Sequence, residues 1–368
     1  QPSGTKSFGT ANLPTPAIIN PDDHYYSVLL DHDGSSTATT CTFNLDTYEW
    51  LAIIKSTAEE KWYWINSVRG ENEYISSNND SVKTADSNVM SVSGTTLTLG
   101  STLADANYLI EVHRAGLASA TAANTDGTFA SDGSSSDTTH TTVNLVSGFG
   151  YSIFVGEVDK GVRTIGHGLD KAPEFVINKQ LVGAGSNWAS THVGLTNATK
   201  EIYLNLTNAE ADNVNHRGAN GANVLPSTTL MTYGTAGDVN GDGDTQLAIY
   251  WHSVAGYSAF GKYTGNGAAD GTFVNLGGHP NSMFFRSQNA GDNWYYHNSS
   301  VNPTNPVASY LAFNTNAASA SFTSHDRLSN GIKARNANSG WNFSGIVLYG
   351  AWGIRPLTDG GVNQGRAK

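Results

Sequence analysis

The sequence predicts an all-β protein made of three tandem antiparallel β-sandwich repeats, jelly-roll or lectin-like, with an extended N-terminal arm. Three observations predict it. Short runs rich in aromatic and β-branched residues are separated by clusters of Gly, Asn, Asp and Ser, the pattern of antiparallel strands and turns. No segment carries an apolar helical period over ten or more positions. The chain also repeats itself, with a period of roughly 100 residues.

The repeat is read from landmarks in fixed order. An apolar strand ending in a basic residue comes first: Glu49 to Lys55, Glu174 to Lys179 and Ser282 to Arg286. A strand opening on tryptophan follows, at Trp62, Trp188 and Trp294. Next is a tyrosine strand that runs into polar residues, at Tyr74 to Asn78, Tyr203 to Asn205 and Tyr310 to Asn314. Each copy closes on an aromatic or β-branched strand: Tyr108 to Val112, Gln246 to Trp251 and Ile346 to Trp352. Copies two and three also open alike, at Gly150-Tyr151-Ser152 and Gly256-Tyr257-Ser258.

These landmarks divide the chain into an extended arm (1–21), a first sandwich (22–114), a Ser/Thr/Gly-rich linker (115–147), a second sandwich (148–254), a third (255–356) and a tail (357–368). The arm carries Leu13-Pro14-Thr15-Pro16, which suits an extended strap on a partner surface. The linker is poor in large apolar side chains, extended by composition, and a Ser/Thr/Ala segment of this kind can also lie ordered along a neighbouring surface. So short a joint between Trp251 and Tyr257 holds the second and third units at a nearly fixed angle. The chain opens at Gln1 with neither Met nor an apolar leader, as a processed terminus or a segment of a longer protein would.

Composition narrows the function. No apolar run approaches the ~20 residues of a membrane-spanning helix, so membrane insertion is not expected. A net charge of −11 gives no electrostatic footprint for nucleic acid or anionic lipid. The single cysteine, Cys41, excludes an intrachain disulfide and reads as a small core residue.

Several of the repeated segments carry a resemblance. Gly256 to Gly267, His167-Gly168-Leu169 with Ala172-Pro173, Leu328 to Lys333, Asn124 to Thr128 and Asn12 to Pro16 resemble pieces of a repeated domain of unknown function in tailed-bacteriophage proteins. That domain is common in phages of marine bacteria and cyanobacteria. The likeness is clearest from Gly148 to Arg355, and copy one matches only loosely at Tyr25 to Asp31. It implies a β-sandwich unit, often coupled to concanavalin-like lectin modules, in fibre, tail or head-decoration proteins of the virion. It brings no catalytic residues.

Two candidate sites stand out. Asp238-Val239-Asn240-Gly241-Asp242-Gly243-Asp244 alternates oxygen ligands with glycines, as calcium loops do, with Asp238, Asn240, Asp242 and Asp244 as ligands. The EF-hand's closing Glu is missing, since that position is Ile249, and related β-repeat loops want an acid where Gln246 stands. Apart from this calcium candidate, no cofactor is expected. The second site is Trp341 in a Gly-Trp-Asn turn flanked by Asn338 and Asn342, an indole face with amides that could stack on a sugar and bond its hydroxyls.

Other residues read as architecture. His192 and His297 follow the repeat tryptophan at similar distances, so they are expected to share one place in the strand. No His-Glu-x-x-His, paired Cys-x-x-Cys, Gly-x-Ser-x-Gly or phosphate loop occurs. Glu59-Glu60 and Asp22-Asp23 read as solvated charges rather than a glycosidase pair.

The expectation is therefore a non-catalytic virion structural protein, at the particle surface or otherwise extracellular. Its partners would be other virion proteins, further copies of itself, and a host surface glycan. The alternatives are a secreted carbohydrate-binding protein of a cell, an extracellular filament subunit and a polysaccharide depolymerase.

Overall fold

The computed structural model describes residues 17–118 and 140–356, apart from 158, 160, 220 and 339. The arm up to residue 16, the linker from 119 to 139 and the tail from 357 lie outside the described residues. What is described is almost entirely antiparallel sheet.

Three large sheets share one strand order. In each, the opening strand pairs with the closing strand, the closing strand with the basic-ended strand, and that strand with the tryptophan strand. The first sheet runs Tyr25–Asp33, Asp105–Leu117, Tyr48–Ser56 and Trp62–Asn66, with Ile75 bridged to Trp64. The second runs Phe149–Val155, Thr245–Trp251, Phe175–Val182, Ala189–His192, Lys200–Tyr203 and Ala211–Asp212. The third runs Ala259–Thr264, Ile346–Trp352, Ser282–Ser287, Tyr295–Asn298, Ser309–Ala312 and Ala320–Ser321. Register agrees as well: Lys55 stands opposite Leu109, Lys179 opposite Leu247 and Arg286 opposite Leu348.

The described ends of the expected linker are strand. Residues up to Leu117 continue the closing strand of the first sheet, and His140–Asn144 adds to the edge of the second. Thr142 Oγ1 accepts from the Gly116 amide and Asn144 donates to Arg114 O, so the two ends are bonded to each other. Composition reads this segment as a linker, but Thr141, Thr142 and Val143 are also strand formers.

Side chains on a strand alternate between faces, and these sheets are apolar on both. Trp50, Ala52 and Ile54 turn toward the small Thr37–Thr40, Thr96–Leu99, Met90–Ser93 sheet of the same unit. Leu51 and Ile53 turn the other way, into a cluster that also takes Phe175 and Ile177 from the second sheet and Phe284 from the third. Each unit thus has a local core, and all three share a central one. The local cores are one per unit, and the second apolar face of each large sheet is covered by the other two units. Ile18, the only large apolar residue of the arm's described end besides exposed Ile19, also enters the shared core.

The tryptophans close a ring across the three sheets. Trp188 Nε1 donates to Asn79 O in the first unit at 3.1 Å, and Trp294 Nε1 to Tyr203 O in the second at 2.9 Å. Trp62 Nε1 completes the circuit on Ala312 O of the third at 2.8 Å. The buried cations beside them follow suit. Lys179 Nζ donates to Asp80 O across the boundary, Arg286 to Asn208 O, while Lys55 is satisfied by Ser56 O and Ala58 O of its own loop.

Candidate functional site

The Asp238–Asp244 segment does not gather its oxygens. Gly237–Asn240 winds into a single helical turn that contains Asp238 and Asn240, while Asp242 and Asp244 lie beyond it. Asn240 is consumed by the fold, donating to Gly161 O and Gly234 O and accepting from the Glu157 amide. Asp244 accepts from Gln180, and Asp242 is exposed.

Asp238 meets two residues that are distant in sequence. One ligand atom from each of Glu201, His216 and Asp238 lies within 4.8 Å of the others. Glu201 sits on Lys200–Tyr203, whose pairing with Ala211–Asp212 places Lys200 in an outward ion pair with Asp212 at 2.9 Å. Alternation then turns Glu201 inward, where it is 3% exposed. Its carboxylate accepts from the His216 ring, the Tyr203 hydroxyl and the Asn213 amide. His216 is held by the Gly234 amide on its carbonyl at 2.8 Å. A Cβ at Gly234 would overlap the carbonyls of Gly218 and Asn215, so only glycine lets the two loops close there.

The electrostatics of this cluster are divided. Burial raises the Asp238 carboxyl above the usual carboxylate range, with His216 opposing that and Glu201 reinforcing it. Burial pushes Glu201 the same way, but the bond and charge of His216 and the bonds from Tyr203 and Asn213 outweigh it and leave Glu201 below its ordinary value. Arg217, fully buried, spans Thr191 and the Tyr233 ring nearby.

The Trp341 turn is closed to ligands. Trp341 is 1% exposed, packed edge-on against Tyr295 with ring centroids 4.9 Å apart, and its Nε1 donates to Asn336. Asn342 is fully buried: it donates to Asn266, Ala268 O and Asn336 O and accepts from the Asn266 and Thr272 amides. Asn338 caps the turn, accepting from the Gly340 amide. The face expected to stack on a sugar is part of the local core.

His192 and His297 do not share a place. His192 stands opposite Phe175, in the row of Trp251, while His297 stands opposite Met283, one row before Trp352. One residue of offset reverses the face. His192 therefore meets Phe175 and Phe284 in the shared core, and His297 meets Phe285 and His325 in a local one.

A groove of about 340 Å³ opens in the second unit between Lys171, Glu174, Val193, Leu225 and Pro226. Glu174 there already accepts from Ser253, and His192 bonds Tyr349 O and the Gly194 amide. What the groove offers is mainly an apolar wall.

One protein-family profile, a domain of unknown function (DUF7483), matches residues 20–356. No curated protein matches the chain, and no solved structure matches it.

Proposed function

The chain belongs to the DUF7483 family, and we propose that it is a non-catalytic structural protein of a bacteriophage particle: a fibre, tail appendage or capsid decoration. Within that reading it is three tandem copies of one β-sandwich module, fused into a single block. The phage setting comes from the sequence resemblance. The observation that carries the structural role is the continuous apolar cluster to which all three large sheets contribute. A block of that kind resists bending between its units, as a spacer or decoration on a particle must. Adhesion to a host glycan remains part of the proposal through the family likeness alone, and the Trp341 turn has no place in it.

The test is to purify the particles and identify their proteins by mass spectrometry and electron microscopy. The chain should appear in many copies at symmetry-related surface positions. Finding it only as free protein in the medium, or only in cells without phage genes, overturns the reading in favour of a secreted cellular protein.

A further inference from the structure

We propose that Glu201, His216 and Asp238 form a binding site for a divalent transition-metal ion, built into the second unit alone. The inference does not depend on where the protein works. It begins with the strand register. Ile202 stands opposite Ser190, Leu311 opposite Tyr296 and Ile75 opposite Trp64, so Glu201 occupies the position held by Tyr310 and Tyr74 in the other two sheets. Those tyrosines pack toward the local cores of their units. A carboxylate in the same place must be compensated, and the residues that approach it, His216 and Asp238, are both metal ligands by type.

The protein's own hydrogen bonds do not complete the cluster. His216 is 1% exposed and its Nε2 has no partner, and the buried Oδ1 of Asp238 has none either. The other ring nitrogen, Nδ1, is held by Glu201, the carboxylate–histidine pairing that orients an imidazole toward a metal, so in this site Glu201 positions the ring while His216 Nε2 and Asp238 are the groups left to take the ion. An imidazole nitrogen with carboxylate oxygens suits zinc, cobalt or manganese better than calcium, which takes oxygen ligands. Asp238 is partly exposed and Gly237 exposed, which gives an ion a way in.

The experiment uses the full chain stripped with a chelator, titrated calorimetrically with Zn²⁺, Co²⁺ and Mn²⁺ in turn. Expected is one ion per chain for at least one of them, and a thermal midpoint raised by several degrees at saturation, since an ion that binds only the folded state stabilises it. If Co²⁺ is that ion, visible absorption bands should accompany it. Asp238→Asn, nearly isosteric, should fold with the same midpoint in chelator yet lose the isotherm and the midpoint shift. His216→Ala should lose them too, and should it fail to fold, Asp238→Asn decides alone. No saturable binding of any of the three ions, or undiminished binding by Asp238→Asn, overturns the proposal.

Discussion

Trp251 and Trp352, the last residues of the closing strands of the second and third sheets, lie nearly parallel, 7° apart with ring centroids separated by 6.1 Å. The equivalent position in the first sheet is His113, whose ring is 5.9 Å from Trp251 and 5.5 Å from Trp352. Three closing strands thus meet at one place in the shared core. Removal of either indole should be felt by the whole molecule. Trp251→Ala and Trp352→Ala are each expected to cost about 3–5 kcal/mol, and the double variant should depart from additivity because the rings are in contact. The wild-type chain should unfold in one transition, with coincident far-ultraviolet dichroism and tryptophan fluorescence curves in guanidinium. Separate transitions for separate units would contradict a common core.

The Trp341 turn is expected to matter for stability. Asn342→Ala strips the fully buried partner from two backbone amides and two carbonyls, of which those of Thr272 and Asn336 belong to half-buried residues. At about 1–3 kcal/mol for each group left without a partner, a loss of at least ~3 kcal/mol is expected in urea unfolding. Asp242→Ala, at an exposed position, should stay within ~0.5 kcal/mol, and added calcium should not separate the two proteins.

Much of this architecture was legible because its signals are local. Trp62 opens its strand and Trp188 and Trp294 stand directly before theirs, and the basic residue near the end of the preceding strand marks the register, since Lys55, Lys179 and Arg286 are the cations buried beside them. The central core was not legible in the same way. The unbroken run Trp50-Leu51-Ala52-Ile53-Ile54 signals two buried faces, but no sequence pattern says which neighbour covers the second. His192 and His297 misled because similar spacing from a tryptophan cannot resolve a one-residue shift. In the candidate metal cluster only Asp238 was visible, as part of a motif whose other members point elsewhere. Glu201 and His216 reach it through a sheet edge and a loop closed by Gly234. Aligning Tyr203 with Tyr74 and Tyr310 by sequence hides Glu201, because the strand register sets Glu201 where those tyrosines stand and Tyr203 two residues further on.

Acid should weaken the fold through buried histidines. Burial lowers His113 and His297 to about 3 and His192 to about 4, below the ordinary 6.5. Between the two values the unfolded chain binds a proton that the folded chain does not, so stability falls as pH drops below 6.5. The loss should be on the order of 1–2 kcal/mol per histidine by pH 5. Denaturant midpoints at pH 7, 6 and 5 measure it, and His113→Phe should flatten the slope by about one proton. A midpoint independent of pH over that range would refute the assignment.

Glu111 joins the first sheet to the third, and its loss should be the most damaging of the single polar substitutions. It stands in the row filled by Ile249 in the second sheet and Gly350 in the third. Its Oε1 gathers Tyr25, Tyr296, Ser282 and Asn298, with the Ser282 and Asn298 contacts both at 2.6 Å. Burial raises its carboxyl above the usual range, although all four donors pull the other way. The folded chain then keeps a proton that the unfolded chain has lost just above 4.5, so this group withdraws stability as pH rises through that window. Glu111→Gln should abolish the withdrawal while keeping a carbonyl for the donors. Glu111→Ala leaves four donors around a void and should cost more than about 4 kcal/mol. Equal midpoints for the alanine variant and the parent in urea would show that the cluster holds nothing together.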